Sequence, residues 1–141
     1  MAQLLITGGA GFIGSHTCLV LLQAGHRLVV LDNFSNSSPE SLRRVLELAG
    51  LPANSPRLQL TEGDIRSIGD LERAFGAAAA PIEAVVHFAG LKAVGESVQD
   101  PLRYWDVNVA GSHCLLAAMR EHGCKEIVFS STSTVYGQPE H

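Results

Sequence analysis

The sequence predicts one α/β domain built on a doubly wound, mostly parallel sheet with helices on both faces. Short apolar runs alternate with longer helix-like segments along all 141 residues, an order that is typical of parallel sheets. The runs lack the polar alternation of half-exposed strands, so both faces of the sheet are expected to be covered. The length is close to the roughly 150 residues of an average single domain.

Five runs rich in leucine or β-branched residues predict buried strands. These runs lie at residues 4–7, 28–31, 58–61, 84–88 and 127–130. Between them, helical spacing of apolar residues predicts helices at residues 14–24, 38–49, 69–79 and 101–122. In the last helix an apolar stripe recurs at intervals of roughly 3.6 residues, formed by Leu102, Trp105, Val109, Leu115, Leu116 and Met119.

Residues that start and stop helices agree with these bounds. Ser38 and Asp100 each precede a proline, which places a capping side chain directly before the first helical position. Glycines that favour a left-handed helix end follow three of the helices, namely Gly25, Gly50 and Gly123.

Composition excludes several classes of protein. Apolar residues make up 46% of the chain and charged residues 17%, which is incompatible with disorder driven by charge. The ten lysines and arginines are scattered and the net charge is −4, so a nucleic-acid partner is not expected. No apolar run approaches the roughly 18 residues of a membrane-spanning helix, so no membrane partner is expected.

The cysteines indicate a reducing compartment. Cys18, Cys114 and Cys124 are odd in number, far apart and without a CxxC pair, which favours free thiols in the cytoplasm over a disulfide framework. The first residues lack a basic segment and reach a glycine turn at once, so a signal peptide is not expected. The six histidines show no metal-ligand spacing, so they are interpreted as core or surface residues and no metal site is expected.

A glycine-rich loop joins the first predicted strand to the first helix. Gly8, Gly9, Gly11 and Gly14 fit both G-x-G-x-x-G and G-x-x-G-x-x-G. The early glycines allow a tight turn, Gly11 lets the backbone approach a pyrophosphate, and Gly14 lets the helix pack closely on the strand. Because a strand precedes the loop and a helix follows it, the loop predicts a dinucleotide site rather than an ordinary turn.

Two carboxylates follow the next two predicted strands. Asp32 ends the second strand about 20 residues after the glycines, where a carboxylate accepts hydrogen bonds from an adenosine ribose. It would repel a 2′-phosphate, and no arginine or lysine occurs within residues 33–36, so the predicted cofactor is NAD rather than NADP. Asp64 follows the third strand, where it can accept from the adenine amine or cap the next helix, and both interpretations stay open.

Lys92 follows the fourth predicted strand and lies among small apolar residues. In open α/β sheets, ligands bind in the crevice at the carboxyl ends of the strands. Lys92 is therefore a candidate binding residue, with a solvated loop lysine as the alternative.

Three segments carry a family resemblance. They are residues 7–17 (TGGAGFIGSHT), residues 87–97 (HFAGLKAVGES) and residues 129–137 (FSSTSTVYG). Together with Asp32, Asn33 and Phe34 they resemble the UDP-glucose 4-epimerases, a family within the extended short-chain dehydrogenase/reductases. The resemblance covers the whole chain and implies a Rossmann-like fold, NAD as the cofactor, and UDP-galactose and UDP-glucose as substrates.

The resemblance also implies a role for individual residues. It implies pyrophosphate contacts at Gly8, Gly11, Phe12 and Ile13, and adenosine-ribose contacts at Asp32, Asn33, Phe34, Ser35 and Asn36. It implies adenine contacts at Asp64 and Ile65, and nicotinamide-side contacts at Phe88, Ala89, Gly90 and Lys92. Further cofactor positions are Asn108 and Ser130. The implied substrate-binding residues are Lys92, Thr132 and Ser133.

Thr132 matches the catalytic Ser/Thr that hydrogen-bonds the 4-hydroxyl of the sugar in this family. Threonine replaces the more usual serine there, and Ser133 replaces a usual alanine, so either hydroxyl is a candidate. The family's base is a tyrosine with a lysine four residues later, but Asn108 follows Tyr104 and Glu140 follows Tyr136 at that spacing.

The implied activity is NAD-dependent epimerisation at C4 of UDP-galactose and UDP-glucose through a 4-keto intermediate. Residues 1–141 are interpreted as an NAD-binding domain that lacks the Tyr-x-x-x-Lys segment and the sugar-nucleotide domain, and that is inactive alone. A homodimer is expected at full length, with the predicted 101–122 helix at its interface.

Two alternatives stay open. The first is a related sugar-nucleotide epimerase or dehydratase, although a dehydratase should carry acidic residues after Thr132, where this chain has Ser133 and Thr134. The second is a non-catalytic NAD-binding module.

Overall fold

The computed structural model describes residues 2–34, 38–78, 80–88 and 99–129, without the side chain of Tyr104. Its strands are β1 (Gln3–Thr7), β2 (Arg27–Asp32), β3 (Leu58–Glu62), β4 (Ala84–His87) and β5 (Glu126–Phe129). Its helices are α1 (Phe12–Gln23), α2 (Pro39–Leu48), α3 (Ile68–Ala77), α4 (Pro101–Trp105) and α5 (Gly111–Glu121), with a π-helical turn at Asp106–Ala110 between α4 and α5.

The five strands form one sheet in the order β3-β2-β1-β4-β5. Every pair of neighbours is parallel, with Leu5 opposite both Val29 and Val85 in the register of the central strands. The chain winds outward from β1 in one direction to β3 and then in the other direction to β5. The predicted doubly wound parallel sheet is therefore confirmed, and its topological switch point lies between β1 and β4.

Two apolar clusters lie on opposite faces of the sheet. Alternate residues of β1 supply both, because successive side chains of a strand point to opposite faces. Leu5 packs in the cluster that contains Leu71 of α3 and Leu115 of α5. Ile6 packs in the cluster that contains Leu22 of α1 and Leu42 of α2, so helices cover the sheet on both sides.

The predicted start and stop residues take the expected roles. The Ser38 side chain accepts from the Glu40 amide and the Asp100 side chain from the Arg103 amide, with proline at the first helical position in both cases. The chain leaves α1, α2 and α5 through residues with a positive φ, which are Gly25, Gly50 and Gly123.

The prediction of buried strands was wrong for the two edges of the sheet. All four residues of β5 are exposed, and β3 is fully buried only at Thr61. A strand at an edge has one neighbour instead of two, and in the described ranges nothing pairs with the outer sides of β3 and β5. In the part of the chain that the structure describes, the apolar composition of β3 and β5 therefore does not mean that these strands are buried.

The prediction of one regular helix at residues 101–122 was also wrong. A π-helical turn contains one residue more than a turn of α-helix. Apolar residues spaced for a regular α-helix therefore point in a different direction after it. Leu115 and Met119 are buried, whereas Leu102, Trp105, Val109 and Leu116 are exposed. Among the described helices, none combines the length and apolar character that crossing a membrane requires.

Helix α1 packs against the loop that precedes it at van der Waals distance. A Cβ added to Gly14 would lie 2.3 Å from the Gly8 carbonyl oxygen and 2.9 Å from the Gly9 Cα. Both atoms belong to the backbone, so no side-chain rotation relieves the clash. Glycine is required at position 14 by this approach, although the residue lies inside a helix.

Replacement of Gly14 by alanine should destabilise the protein by about 1–3 kcal/mol, the usual cost of overpacking. Gly76→Ala is the matched control, because Gly76 lies in helix α3 and no atom of the described residues comes within 4 Å of its added Cβ. That control should stabilise by about 0.5–1 kcal/mol, since alanine is the better helix former. Urea unfolding of both variants measures the difference, and a Gly14→Ala protein as stable as Gly76→Ala would contradict the packing argument.

Candidate dinucleotide-binding site

The loop between β1 and α1 makes the tight turn that its glycines predict. Gly8 has a φ of 70°, a left-handed conformation that favours glycine. Its amide donates to the Leu31 carbonyl at 2.8 Å, and the Gly11 amide donates to the Gly8 carbonyl at 3.2 Å. Within the described residues, a Cβ on Gly11 would have one neighbour inside 4 Å, the Gly8 carbonyl oxygen at 3.4 Å. The outer side of the loop is thus open to a ligand.

The N-terminus of α1 differs from the N-termini of α2, α3 and α4. Each of those three begins with a capping side chain, supplied by Ser38, Ser67 and Asp100. Helix α1 has Gly11 at its N-cap position, and no side chain among the described residues caps it. Its first internal hydrogen bond runs from the Ser15 amide to the Gly11 carbonyl, which leaves the amides of residues 12–14 without an intrahelical partner. Such an end binds anions.

Phe12 and Ile13 occupy the first two positions of this helix, with side chains that are mostly exposed. Their predicted contact with a pyrophosphate is consistent with the position of their amides. Ser41 of α2, which sequence reasoning missed, holds the loop from the other side because its hydroxyl donates to the Ala10 carbonyl at 2.7 Å.

The Asp32 carboxylate lies at the carboxyl end of β2 and is buried. One oxygen accepts from the Ala10 amide at 3.0 Å and the other from the Phe34 amide at 2.8 Å. It therefore ties the end of β2 to the glycine loop, and Phe34 takes a φ of 57° beside it. A carboxylate offers about four lone-pair sites, so Asp32 can accept from a ribose hydroxyl in addition to these amides.

Asp64 is held by an ion pair that the sequence did not reveal. The Arg66 guanidinium donates to both of its oxygens, at 3.1 Å or less, and Asn33 also hydrogen-bonds this carboxylate. The hydrogen bonds from Arg66 lower the pKa of the Asp64 carboxyl below its usual value. The capping alternative for Asp64 was wrong, because the Ser67 side chain caps α3 by accepting from the Asp70 amide.

Arg66 reaches a second carboxylate 40 residues further along the chain. Its other terminal nitrogen lies 2.6 Å from an oxygen of Asp106 in the π-helical turn. The guanidinium thus links the end of β3 to the segment that contains Asn108. Only the position of Arg66 two residues after Asp64 hinted at the first pair, and no sequence signal pointed to the second.

Other predicted residues take different positions along this edge. The Ile65 side chain is buried in the apolar core against Gly111, so its main chain is the part that can face a nucleotide. Phe88 directly follows β4 and is half-buried, and its amide donates to the Thr7 carbonyl. Asn108 is half-buried in the π-helical turn.

Several predicted residues lie outside the described ranges. They are the ribose-side residues Ser35 and Asn36, the nicotinamide-side residues Ala89, Gly90 and Lys92, and the strand-end residues Ser130, Thr132 and Ser133. Their roles remain predictions.

The interpretation of His87 as a satisfied core residue is confirmed. The ring is 3% exposed, and each of its nitrogens has a hydroxyl partner, Thr7 on one side and Ser112 on the other. The Cys18 thiol is equally buried, and burial with the nearby Asp32 charge raises its pKa to about 12, which makes it unreactive. No cluster of three metal-ligating side chains occurs among the residues that the structure describes.

The fold and the site define a dinucleotide-binding α/β domain, with an open glycine loop, an uncapped helix N-terminus and a strand-end carboxylate meeting at one sheet edge. A model of the NAD dependent epimerase/dehydratase family matches residues 4–141. The chain belongs to this family, which confirms both the resemblance and NAD as the cofactor.

Similar proteins extend the comparison. UDP-glucose 4-epimerase 3 from Oryza sativa subsp. japonica is 56% identical over 139 residues, which cover 99% of this chain and 36% of that protein. A bifunctional UDP-glucose 4-epimerase and UDP-xylose 4-epimerase 1 from Pisum sativum is 51% identical over 98% of this chain and 39% of that protein. The crystal structure of UDP-glucose 4-epimerase from Bifidobacterium longum with NAD+ and UDP matches with a TM-score of 0.89 and 44% identity, over 99% of this chain and 40% of that one.

The chain therefore spans little more than a third of the length of the relatives it matches.

Proposed function

We propose that this chain is the NAD-binding part of an enzyme that interconverts UDP-galactose and UDP-glucose by epimerisation at C4. The observation that carries the proposal is the 56% identity to a UDP-glucose 4-epimerase over 99% of the chain. The geometry supports it, because the loop, the α1 N-terminus and Asp32 form a site for a dinucleotide without a 2′-phosphate.

The roles of this chain's residues follow from their positions. The open loop at Gly11 and the amides at the start of α1 hold the pyrophosphate, because a helix N-terminus stabilises negative charge. Asp32 accepts from the adenosine ribose, and Asp64 faces the adenine end. Thr132 hydrogen-bonds the sugar 4-hydroxyl, as the family resemblance implies.

The chemistry that NAD supplies when bound is reversible acceptance of a hydride from C4 of the sugar. Removal of the 4-hydroxyl proton requires the Tyr/Lys base, and that pair does not occur at its spacing within these 141 residues. NAD held at the glycine loop and Asp32 would supply both the acceptance and the return of that hydride, so epimerisation would leave no net oxidation.

A second substrate class has its own support. The Pisum sativum relative is named as a UDP-xylose 4-epimerase as well as a UDP-glucose 4-epimerase. UDP-xylose is therefore the alternative substrate that an activity assay should include.

We also propose that two copies associate through the α4–α5 side of the domain. Four large apolar side chains are exposed there, Leu102, Trp105, Val109 and Leu116, with Leu102 80% and Trp105 65% accessible. Exposed apolar patches of this kind mark interaction surfaces.

A cytoplasmic location is proposed as well, supported by three cysteines that are all free thiols.

Asp32 should determine the choice of cofactor. Calorimetry should show NAD binding at least about tenfold tighter than NADP, or about 1.4 kcal/mol, because the carboxylate repels a 2′-phosphate. Asp32→Asn should narrow that ratio. Glu62→Gln is the matched control, because Glu62 is the register partner of Asp32 at the same edge and its change removes an equal charge. A ratio that moves equally in both variants would show that net charge, not the ribose contact, sets the preference.

Epimerisation should be measured in a protein that carries this chain followed by a Tyr-x-x-x-Lys segment. UDP-galactose should convert to UDP-glucose without added NAD and without NADH build-up. Thr132→Ala should slow turnover by about 10–100-fold, the range for a hydrogen bond of 1.5–3 kcal/mol to a charged group. Thr132→Ser should retain turnover, and Ser133→Ala should slow turnover less than Thr132→Ala does.

A product that has lost water would indicate the dehydratase alternative, and loss of turnover in Ser133→Ala alone would move the catalytic hydroxyl to Ser133. The 141 residues by themselves should show no turnover, since they lack the base.

Self-association should depend on the exposed apolar side of α4 and α5. Trp105→Glu should shift the sedimentation equilibrium toward monomer, because it places a charge on the proposed interface. Val20→Glu is the matched control, since Val20 is also largely exposed but lies on α1. If Trp105→Glu and Val20→Glu shifted the equilibrium toward monomer by the same amount, the support for an interface at α4–α5 would be lost.

A further inference from the structure

A chain of hydrogen bonds crosses the switch point of the sheet, buried at Thr7 and His87 and half-buried at Ser112 and Asn108. Thr7 at the end of β1 contacts His87 Nδ1 at the end of β4, with 2.5 Å between the hydroxyl oxygen and the ring nitrogen. His87 Nε2 lies 3.2 Å from the Ser112 hydroxyl in the first turn of α5. The Ser112 hydroxyl is 2.6 Å from the Asn108 carbonyl in the π-helical turn. These hydrogen bonds join β1, β4 and the start of α5, which are 80 and 25 residues apart along the chain.

The direction of these hydrogen bonds follows from the chemistry of the groups. The Asn108 carbonyl can only accept, so the single hydrogen of the Ser112 hydroxyl is donated to it. The Ser112 oxygen must then accept from His87, which places the ring proton on Nε2. We assign the imidazole as neutral: with its proton on Nε2, Nδ1 carries a lone pair, and the Thr7 hydroxyl donates to that nitrogen.

The chain ends at the point where the helix changes its pitch. The Gly111 amide donates to the Asp106 carbonyl, five residues back, instead of four. The Ser112 hydroxyl gives the Asn108 carbonyl a side-chain donor at this change, and π-helical turns of this kind occur frequently at functional sites. Arg66 holds the same turn from the other side through Asp106. The conformation around Asn108 is thus set by two long-range contacts.

We propose that Thr7, His87 and Ser112 form a positioning relay that holds the Asn108 turn against the carboxyl ends of β1 and β4. This inference rests on the proposed NAD site, since ligands of doubly wound sheets bind at that switch point. Asp32 and Asp64 lie on the β2–β3 side, where the adenosine half is expected. The relay lies on the β4 side, so it serves the nicotinamide half. None of its three side chains needs to touch the cofactor.

The relay predicts a selective effect on the two halves of the cofactor. In the 141-residue chain, Ser112→Ala should weaken NAD binding by about tenfold, measured by calorimetry. Its affinity for ADP, which contains only the adenosine half, should stay unchanged. Ser112→Thr keeps the hydroxyl and should restore NAD binding. His113→Ala is the matched control, because His113 lies beside Ser112 on the same helix and has an exposed side chain outside the relay.

A second measurement tests the relay without any nucleotide. Nitrogen-15 NMR of the His87 ring should show a proton on Nε2 and none on Nδ1 in the wild-type protein. Ser112→Ala should alter this protonation pattern, and His113→Ala should leave it unchanged. A proton on Nδ1, or equal losses of NAD and ADP affinity in Ser112→Ala, would overturn the relay. A wild-type chain that bound neither nucleotide would overturn the proposed NAD site, and the positioning role with it.

Discussion

The contact between Gly14 and the Gly8 carbonyl is the constraint on which the rest of this structure depends. An added Cβ would lie 2.3 Å from that oxygen, so α1 lies as close to the loop as a backbone allows. The approach brings Cys18 and Leu22 of α1 into the apolar cluster with Ile6. It also directs the α1 N-terminus to the edge where β2 ends in Asp32. The close approach at Gly14 therefore accounts for both the packing of α1 and the position of the candidate ligand site.

At this edge of the sheet, some polar groups hold the glycine loop in place and others stay available to a ligand. Asp32 and Ser41 bond to the amide and the carbonyl of Ala10, which holds the loop without capping the helix beside it. The amides at the start of α1 are then available to an anion. The other described helices with N-terminal caps use a serine or an aspartate for the purpose, and α1 departs from them at the position where a pyrophosphate is expected.

The segment from the π-helical turn to α5 is held from two directions. Arg66 reaches Asp106 from the end of β3, and His87 reaches Ser112 from the end of β4. The buried member, His87, favours one arrangement, because a displaced ring would leave an unpaired polar group in a medium of low dielectric constant. Both contacts converge on the turn that contains Asn108, which explains how an asparagine in a helical segment can keep a defined position.

Sequence patterns alone predicted the features that depend on interactions between residues a few positions apart. The glycine turn, the caps at Ser38 and Asp100 and the left-handed helix ends depend on local sterics and nearby hydrogen bonds, and so does the alternation of strands and helices. Tertiary structure decided the rest. Whether β3 and β5 are buried depends on their place in the strand order, and the partners of Arg66 and His87 lie 40 and 25 residues away. No local pattern encodes such a pair, because its geometry exists only after the strands have assembled.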